Sequence, residues 1–331
     1  MMKKRNILFA GGVMFLLAGS LLTGCTSKEE RLEKETAYRK IGLNAMEEGD
    51  YAKSIDAFNS ALEQAKGIGA NEVDICYYKA AAQFAAGDYT KAVETYDALL
   101  EYDKKNADAY FLRGCVYLKK NESDQAKEDF KKAVKYAAND EIYLSIYNSL
   151  AGAGCTEDAN AYLEEALGKK AGRDAKNYTV KGRFYLIKEQ YDNAVEQLVK
   201  AVEKGDVEAN LYLAQAYEAL GNSAEQEKCI DAYIKEYPKS SVAYNKQGLK
   251  AMESGDYETA ISEFSAGLEA DEVTNEQELR SNLIAAYEYN LDFDKAKELM
   301  QAYLADYPED EAAAREYLFL NKNRNEENST E

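Results

Sequence analysis

The chain has no histidine and no tryptophan, and its 331 residues include only 2 prolines. Without histidine, the Ser-His-Asp and Cys-His arrangements of nucleophilic catalysis are excluded. None of the 5 cysteines forms a C-x-x-C pair, so no zinc pattern is present. No glycine-rich phosphate loop appears either, and neither a catalytic activity nor a cofactor is expected. Positive charge is also scarce: 41 Lys and Arg stand against 60 Asp and Glu, a formal net charge of −19. Nucleic acid, whose phosphates such a chain repels, is not an expected partner. The scarcity of proline, with abundant Ala, Leu, Glu and Lys, predicts helix nearly throughout. A hydrophobic content of 46% excludes a disordered acidic chain.

The first residues are a different material. Lys3, Lys4 and Arg5 precede an apolar run from Ile7 to Leu22, which ends at Leu22-Thr23-Gly24-Cys25. A basic start, a short apolar stretch and small residues before a cut are the logic of an export signal. The run is short for a membrane span and no charged stop follows it. The last four residues resemble the lipobox of bacterial lipoproteins. That resemblance implies a diacylglyceryl group on the Cys25 sulfur, with Cys25 as the mature N-terminus; a plain signal peptide or a membrane helix with a chance cysteine is the alternative. Two acyl chains suffice for stable anchoring where one is marginal. The expected location is the extracytoplasmic face of a bacterial membrane, anchored by lipid. Losing residues 1–24 removes three positive charges and leaves −22.

The expected divisions are a signal peptide over 1–24, a lipidated cysteine and polar tether over 25–34, a folded body over 35–322 and a polar tail over 323–331. The remaining cysteines, Cys76, Cys115, Cys155 and Cys229, are widely spaced and read as small buried residues on separate helices.

The body repeats itself. Gly49-Asp50-Tyr51 recurs as Gly87-Asp88-Tyr89 and Gly255-Asp256-Tyr257, and more loosely at Gln190-Tyr191-Asp192 and Asp292-Phe293. In these copies a small residue stands three beyond the aromatic, and aligning all copies on that alanine-equivalent position gives Ser54, Ala92, Ala126, Ala159, Ala194, Gln226, Ala260 and Ala296. The steps between them are 38, 34, 33, 35, 32, 34 and 36. Twelve positions earlier stand Gly42, Ala80, Gly114, Gly182, Ala214 and Gly248; four later stand Phe58, Tyr96, Leu198, Phe264 and Met300. A period near 34 is a sequence signature of stacked helical hairpins.

This pattern resembles the tetratricopeptide repeat (TPR) family. Tyr110, Gly114, Tyr117, Ala126, Phe130 and Ala133 show it best, and Pro238 and Pro308 fall where the family closes a repeat. The resemblance implies an all-α solenoid of about eight helix-turn-helix repeats, over about Thr36 to Pro308. Small residues would let paired helices approach, the Gly-Asp phrase would end one helix and cap the next, and stacking would bury a continuous core. Repeat four has Tyr147 where a small residue belongs and repeat six has Gln226 for Ala, so altered packing is expected there. A last helix over about Asp310 to Asn321 is expected to cap the final hydrophobic face.

In that family the first helix of each hairpin lines a concave groove. The resemblance therefore implies a partner-binding surface of Arg39, Tyr77, Phe84, Phe111, Leu118, Leu144, Asn148 and Arg183, with Leu43, Met46, Thr179, Leu186, Leu211, Gln215, Asn245, Leu249 and Met252 continuing it. Tyr77, Phe84, Phe111 and Leu118 form its apolar part, of the kind that anchors a peptide or helix. The nearest match to a carboxylate clamp is Asn148, Lys176 and Arg183, with Leu144 and Val180 standing at other clamp positions. The expected function is a membrane-anchored scaffold joining proteins of the cell envelope; the alternative is a sensory lipoprotein that captures a peptide or glycan. No residue pattern points to an oligomeric state.

Overall fold

The computed structural model describes residues 28–169 and 174–327. Cys25 and the expected signal peptide lie outside the described residues. The chain forms two compact units, residues 1–170 and 171–331. The first unit contains α1 (Lys28–Glu47), α2 (Tyr51–Gln64), α3 (Ala70–Ala85), α4 (Tyr89–Tyr102), α5 (Ala107–Lys119), α6 (Ser123–Tyr136), α7 (Glu141–Gly152) and α8 (Thr156–Gly168). The second contains α9 (Ala175–Ile187), α10 (Tyr191–Glu203), α11 (Ala209–Ala219), α12 (Ser223–Glu236), α13 (Ser241–Ser254), α14 (Tyr257–Leu268), α15 (Glu276–Tyr289), α16 (Phe293–Asp306) and α17 (Glu311–Glu327). The described residues are thus all-α. Each unit holds four helical hairpins, and the second ends on an unpaired helix. No helix among the described residues is long and apolar enough to cross a membrane.

The spacing of small and large residues is what closes each hairpin. Gly114 on α5 faces Phe130 on α6, and a Cβ built at Gly114 would lie 2.6 Å from the ring. Gly248 faces Phe264 in the same way at 2.4 Å. Glycine is needed there because the ring occupies the volume a side chain would take, and Phe130 and Phe264 are fully buried as a result. Ser54, standing where most repeats have alanine, is also buried, and its Oγ donates to the Gly42 carbonyl at 2.9 Å. A buried hydroxyl satisfied in this way costs little.

One turn serves every hairpin. The residue five positions before the aligned alanine has positive φ in all eight: Gly49, Gly87, Asn121, Gly154, Glu189, Gly221, Gly255 and Leu291. The next residue sends its N–H back to the carbonyl five residues earlier, as Asp50 does to Ala45 at 2.9 Å and Asp256 to Ala251 at 3.0 Å. That same residue begins the second helix. Asp50, Asp88, Asn222, Asp256 and Asp292 cap it through their side chains, whereas Glu122, Cys155 and Gln190 make no such bond. The prolines stop their helices as expected: α12 ends at Glu236 before Pro238, and α16 at Asp306 before Pro308.

Two boundaries differ from the sequence reading. The tether expected up to residue 34 is helical from Lys28, because Lys28–Lys34 consists mostly of strong helix formers. Lys34 pairs with Glu30 one turn away at 2.9 Å, and Arg31 donates to the Gln64 carbonyl at 3.4 Å. At the other end, α17 continues to Glu327, past the expected start of the tail. Asp310 starts it by accepting the N–H groups of Ala312 and Ala313 at 3.1 and 3.0 Å. Leu320 then packs with Ile284, Met300 and Tyr303, so α17 covers the last hairpin as expected.

The irregular repeats adjust locally. In repeat four Tyr147 is half-buried and Tyr143 takes the inward place, its hydroxyl donating to Glu165 at 2.7 Å. In repeat six Gln226 is half-buried where other repeats bury alanine, while Cys229 and Tyr233 point inward. All four cysteines of the described residues are free. Only Cys229 is buried; the other three are half-buried, and Cys155 sits at a helix start.

Candidate interaction site

In the first unit, the first helices of successive hairpins are α1, α3, α5 and α7. Tyr77, Phe84, Phe111 and Leu118 lie on two of them and are half-buried, so each keeps part of its surface in water. They are also tied into the stack. The Tyr77 hydroxyl donates to Asn106 Oδ1 at 2.7 Å, and its ring lies 6.4 Å from Tyr96. Burial pushes the Tyr77 phenol up to about 12. Phe84 packs against Tyr89 at 5.4 Å and Phe111 against Phe130 at 6.0 Å. These side chains therefore present fixed edges, which reduces the entropy a partner must lose to bind them.

Arg39 is committed to the stack as well: its Nε donates to Asp74 at 2.8 Å and its guanidinium lies 5.2 Å from the Tyr78 ring. Asn148 is exposed. Leu144 does not belong to the surface. It is 4% exposed because α7 buries Ile142, Tyr143, Leu144, Ile146 and Leu150 together, a stripe broad enough to take Leu144 into the core. Thr179 and Asn245 are likewise buried rather than groove-facing, and so is Val180. Arg183 lies in the second unit, its guanidinium 4.6 Å from the Tyr212 ring. The expected residues thus divide between the two units, with Arg39, Tyr77, Phe84, Phe111, Leu118 and Asn148 in the first.

An ion pair that the repeat pattern does not signal organises the middle of this unit. Asp129 on α6 is buried and receives two bonds from Arg113 on α5, both at 2.7 Å. Arg113 also reaches Asp97 on α4 and lies 5.6 Å from the Tyr110 ring. Burial works against the Arg113 charge, but the bonds and charges of Asp129 and Asp97 outweigh it and hold the guanidinium protonated above its ordinary range. A two-pronged carboxylate contact of this kind needs the planar fork of arginine. Its only trace in the sequence is an aspartate on the inward side of an amphipathic helix. The first unit also opens a cleft of about 320 Å³ between hairpins, lined by Leu62, Ile68, Val73, Leu99 and Tyr102. Among the described residues no group of three or more Cys, Asp or Glu side chains is placed to hold a metal ion.

Helical hairpins stacked in register, with side chains offered along successive first helices, define a helical-repeat interaction protein. The comparisons identify the repeat. A TPR repeat family model matches residues 81–121, and tetratricopeptide repeat models match 107–140 and 179–241. Residues 81–140 and 179–241 thus carry tetratricopeptide repeats. It is 24% identical over 271 residues to human DnaJ homolog subfamily C member 7, covering 72% of this chain and 54% of that protein, and equally to the mouse protein. The chain spans about half the length of these curated relatives. Among solved structures it is similar to a chain of the APC/C hetero-tetramer Cut9–Hcn1, with a TM-score of 0.51 at 16% identity. That match covers 91% of this chain and 61% of the other, and it concerns the fold alone.

Proposed function

We propose that this chain is a lipid-anchored TPR scaffold that holds other proteins at the extracytoplasmic face of a bacterial membrane. The observation that carries the scaffold is the row of half-exposed Phe84, Phe111 and Leu118, held rigidly on consecutive first helices of the first unit. Such a row suits an apolar segment of a partner, bound as a helix or an extended peptide. The anchor is supported by Leu22-Thr23-Gly24-Cys25 after the basic and apolar N-terminus. With a net charge of −22 after loss of residues 1–24, the body gains nothing from lying on anionic lipid, so the lipid on Cys25 is the attachment and the repeats stand free for partners.

The anchor is tested by growing cells with an alkyne-bearing fatty acid and comparing the full chain with a Cys25→Ala variant. Label on the full chain, its loss in the variant, and movement of the variant out of the membrane fraction are expected. Equal labelling of both, or none in either, refutes lipid attachment at Cys25.

A further inference from the structure

Neighbouring helices of the stack run antiparallel, so the connections of the first unit alternate between two opposite edges. The turns inside hairpins, residues 48–50, 86–88, 120–122 and 153–155, lie along one edge; the connections between hairpins, 65–69, 103–106 and 137–140, lie along the other. The start of α1 belongs to this second edge, where Arg31 donates to the Gln64 carbonyl at the end of α2. Contacts continue along it. The Tyr102 hydroxyl donates to the Ile68 carbonyl and the Tyr110 hydroxyl to the Lys104 carbonyl, each at 3.4 Å, and the Tyr110 ring stacks on Tyr136 at 5.9 Å. Lys28 opens α1 three positions after Cys25, and three residues reach at most about 11 Å. The opposite edge lies a helix length further, about 30 Å along the 20 residues of α1. A lipid on Cys25 therefore brings the edge of the inter-hairpin connections to the bilayer, and not the other.

The two edges differ in what they expose. The inter-hairpin connections hold Lys66, Lys104 and Lys105 against Asp103 and Asp140. Asp140 is paired with Lys169, and Asp103 accepts the N–H of Lys105 at 2.9 Å. Glu63, Glu101 and Lys135 stand in the helical turns leading into these connections. Lys66, Lys104 and Lys105 are exposed, and none is in an ion pair among the described residues. The opposite turns hold Glu48, Asp50, Asp88 and Glu122 against Lys120. In a mature body of net charge −22, the edge with the three lysines is the one a negative surface repels least.

Large apolar side chains follow the same division. Ile68 is 60% exposed and Tyr102 54%, and Leu32 is exposed near the start of α1. No large apolar side chain is exposed in the opposite turns among the described residues of this unit. Between Ile68 and Tyr102 opens the cleft of about 320 Å³ walled by Leu62, Val73 and Leu99. A tyrosine and an aliphatic side chain beside lysines suit the boundary of a bilayer: the ring at headgroup level, the aliphatic group among the upper acyl carbons, the ammonium groups at lipid phosphates.

We propose that the first unit rests on the membrane surface by this edge, with Ile68 and Tyr102 in the headgroup layer and Lys66, Lys104 and Lys105 against lipid phosphates. The inference rests on the lipid anchor at Cys25 and adds an orientation to it. Repulsion of the rest of the acidic body confines the contact to this edge. The contact sets how the chain stands, while the lipid sets whether it is attached.

The chain has no tryptophan, so a single introduced one reports its own surroundings. The chain from residue 25 onward, carrying Cys25→Ala and an N-terminal histidine tag, is bound to phosphatidylglycerol vesicles that contain a nickel-chelating lipid and lipids brominated on their acyl chains. Ile68→Trp is compared with Ala86→Trp, which places the same probe at an exposed position of an opposite turn. The emission of Ile68→Trp is expected to move to shorter wavelength and to be quenched by bromine; that of Ala86→Trp should do neither. Adding Lys66→Glu, Lys104→Glu and Lys105→Glu to Ile68→Trp should abolish both effects, as should high salt. These three lysines are exposed, so the fold is retained, as circular dichroism verifies. Equal quenching of the two probes overturns the edge. No quenching of Ile68→Trp overturns the lipid contact, and a crosslink from that position to an envelope protein in cells would then give the edge to a protein partner. Quenching that survives the three glutamates overturns the part assigned to the lysines. The tag takes the place of the acyl group, so failure here is distinct from failure of lipid attachment at Cys25.

Discussion

Leu291 occupies, at φ +64°, the turn position that Gly255 fills one repeat earlier at φ +77°. A leucine in the left-handed region has its Cβ crowded against the following carbonyl, and only the repeat geometry holds it there. The side chain gains little in return, since it is 75% exposed. Leu291→Gly should therefore stabilise the second unit by about 1 kcal/mol, read as a higher urea midpoint. An unchanged or lower midpoint would show that the turn is not strained.

Gly114 and Phe130 make the complementary case, in which glycine is required by volume. A methyl group at Gly114 meets the Phe130 ring at 2.6 Å. Gly114→Ala should destabilise the chain by about 1–3 kcal/mol. Combining it with Phe130→Leu should recover part of that loss relative to the sum of the single changes, because the two residues share one volume. A double-mutant cycle on thermal unfolding measures the coupling; strict additivity would argue against the packing described.

The Arg113–Asp129 pair makes a sharper demand. Arg113→Ala leaves a carboxylate buried with no counter-charge, which should cost about 3–5 kcal/mol. Replacing both residues, as Arg113→Met with Asp129→Leu, should cost much less than the single change, since no charge is then stranded. Chemical denaturation of the two variants beside the unaltered chain separates the outcomes.

Glu288 gives a pH dependence with a definite sign. Burial raises its carboxyl above the ordinary 4.5, and the Glu316 charge on α17 adds to this; its Oε1 is buried without a hydrogen-bond donor. Between 4.5 and the raised value the folded chain binds more protons than the unfolded one, so this group's contribution to stability falls as pH rises through that window. Glu288→Gln should therefore be more stable than the unaltered chain at neutral pH. The advantage should shrink on acidification and vanish below 4.5. Melting temperatures of both proteins across this range test it; an advantage independent of pH would point to another cause.

What the sequence made legible follows from how local each feature is. The eight-fold register, the Gly114–Phe130 type of contact and the Asp50 and Asp256 caps depend on residues at fixed offsets within one hairpin, and all could be read. The turn conformation at Asn121, Glu189 and Leu291 could not, because those residues do not announce positive φ as glycine does. Leu144 was misplaced because its burial is decided by how broad a face α7 packs away. Arg113 and Asp129 face each other within one hairpin, but Asp97 joins them from the preceding one, so the full cluster is a product of stacking. The helical start of α1 was readable from the composition of Lys28–Lys34 but was masked by reading that polar stretch as a tether.

The central claim, that the chain holds other envelope proteins through its first-helix surface, is tested most directly by crosslinking in intact cells followed by affinity capture and mass spectrometry. The full chain is compared with a Phe84→Ala, Leu118→Ala variant, verified as folded by circular dichroism, and with an unrelated lipoprotein. Enrichment of the same envelope protein with the full chain, its loss with the variant and its absence from the unrelated lipoprotein is the expected result. Captures that match the unrelated lipoprotein would contradict the scaffold.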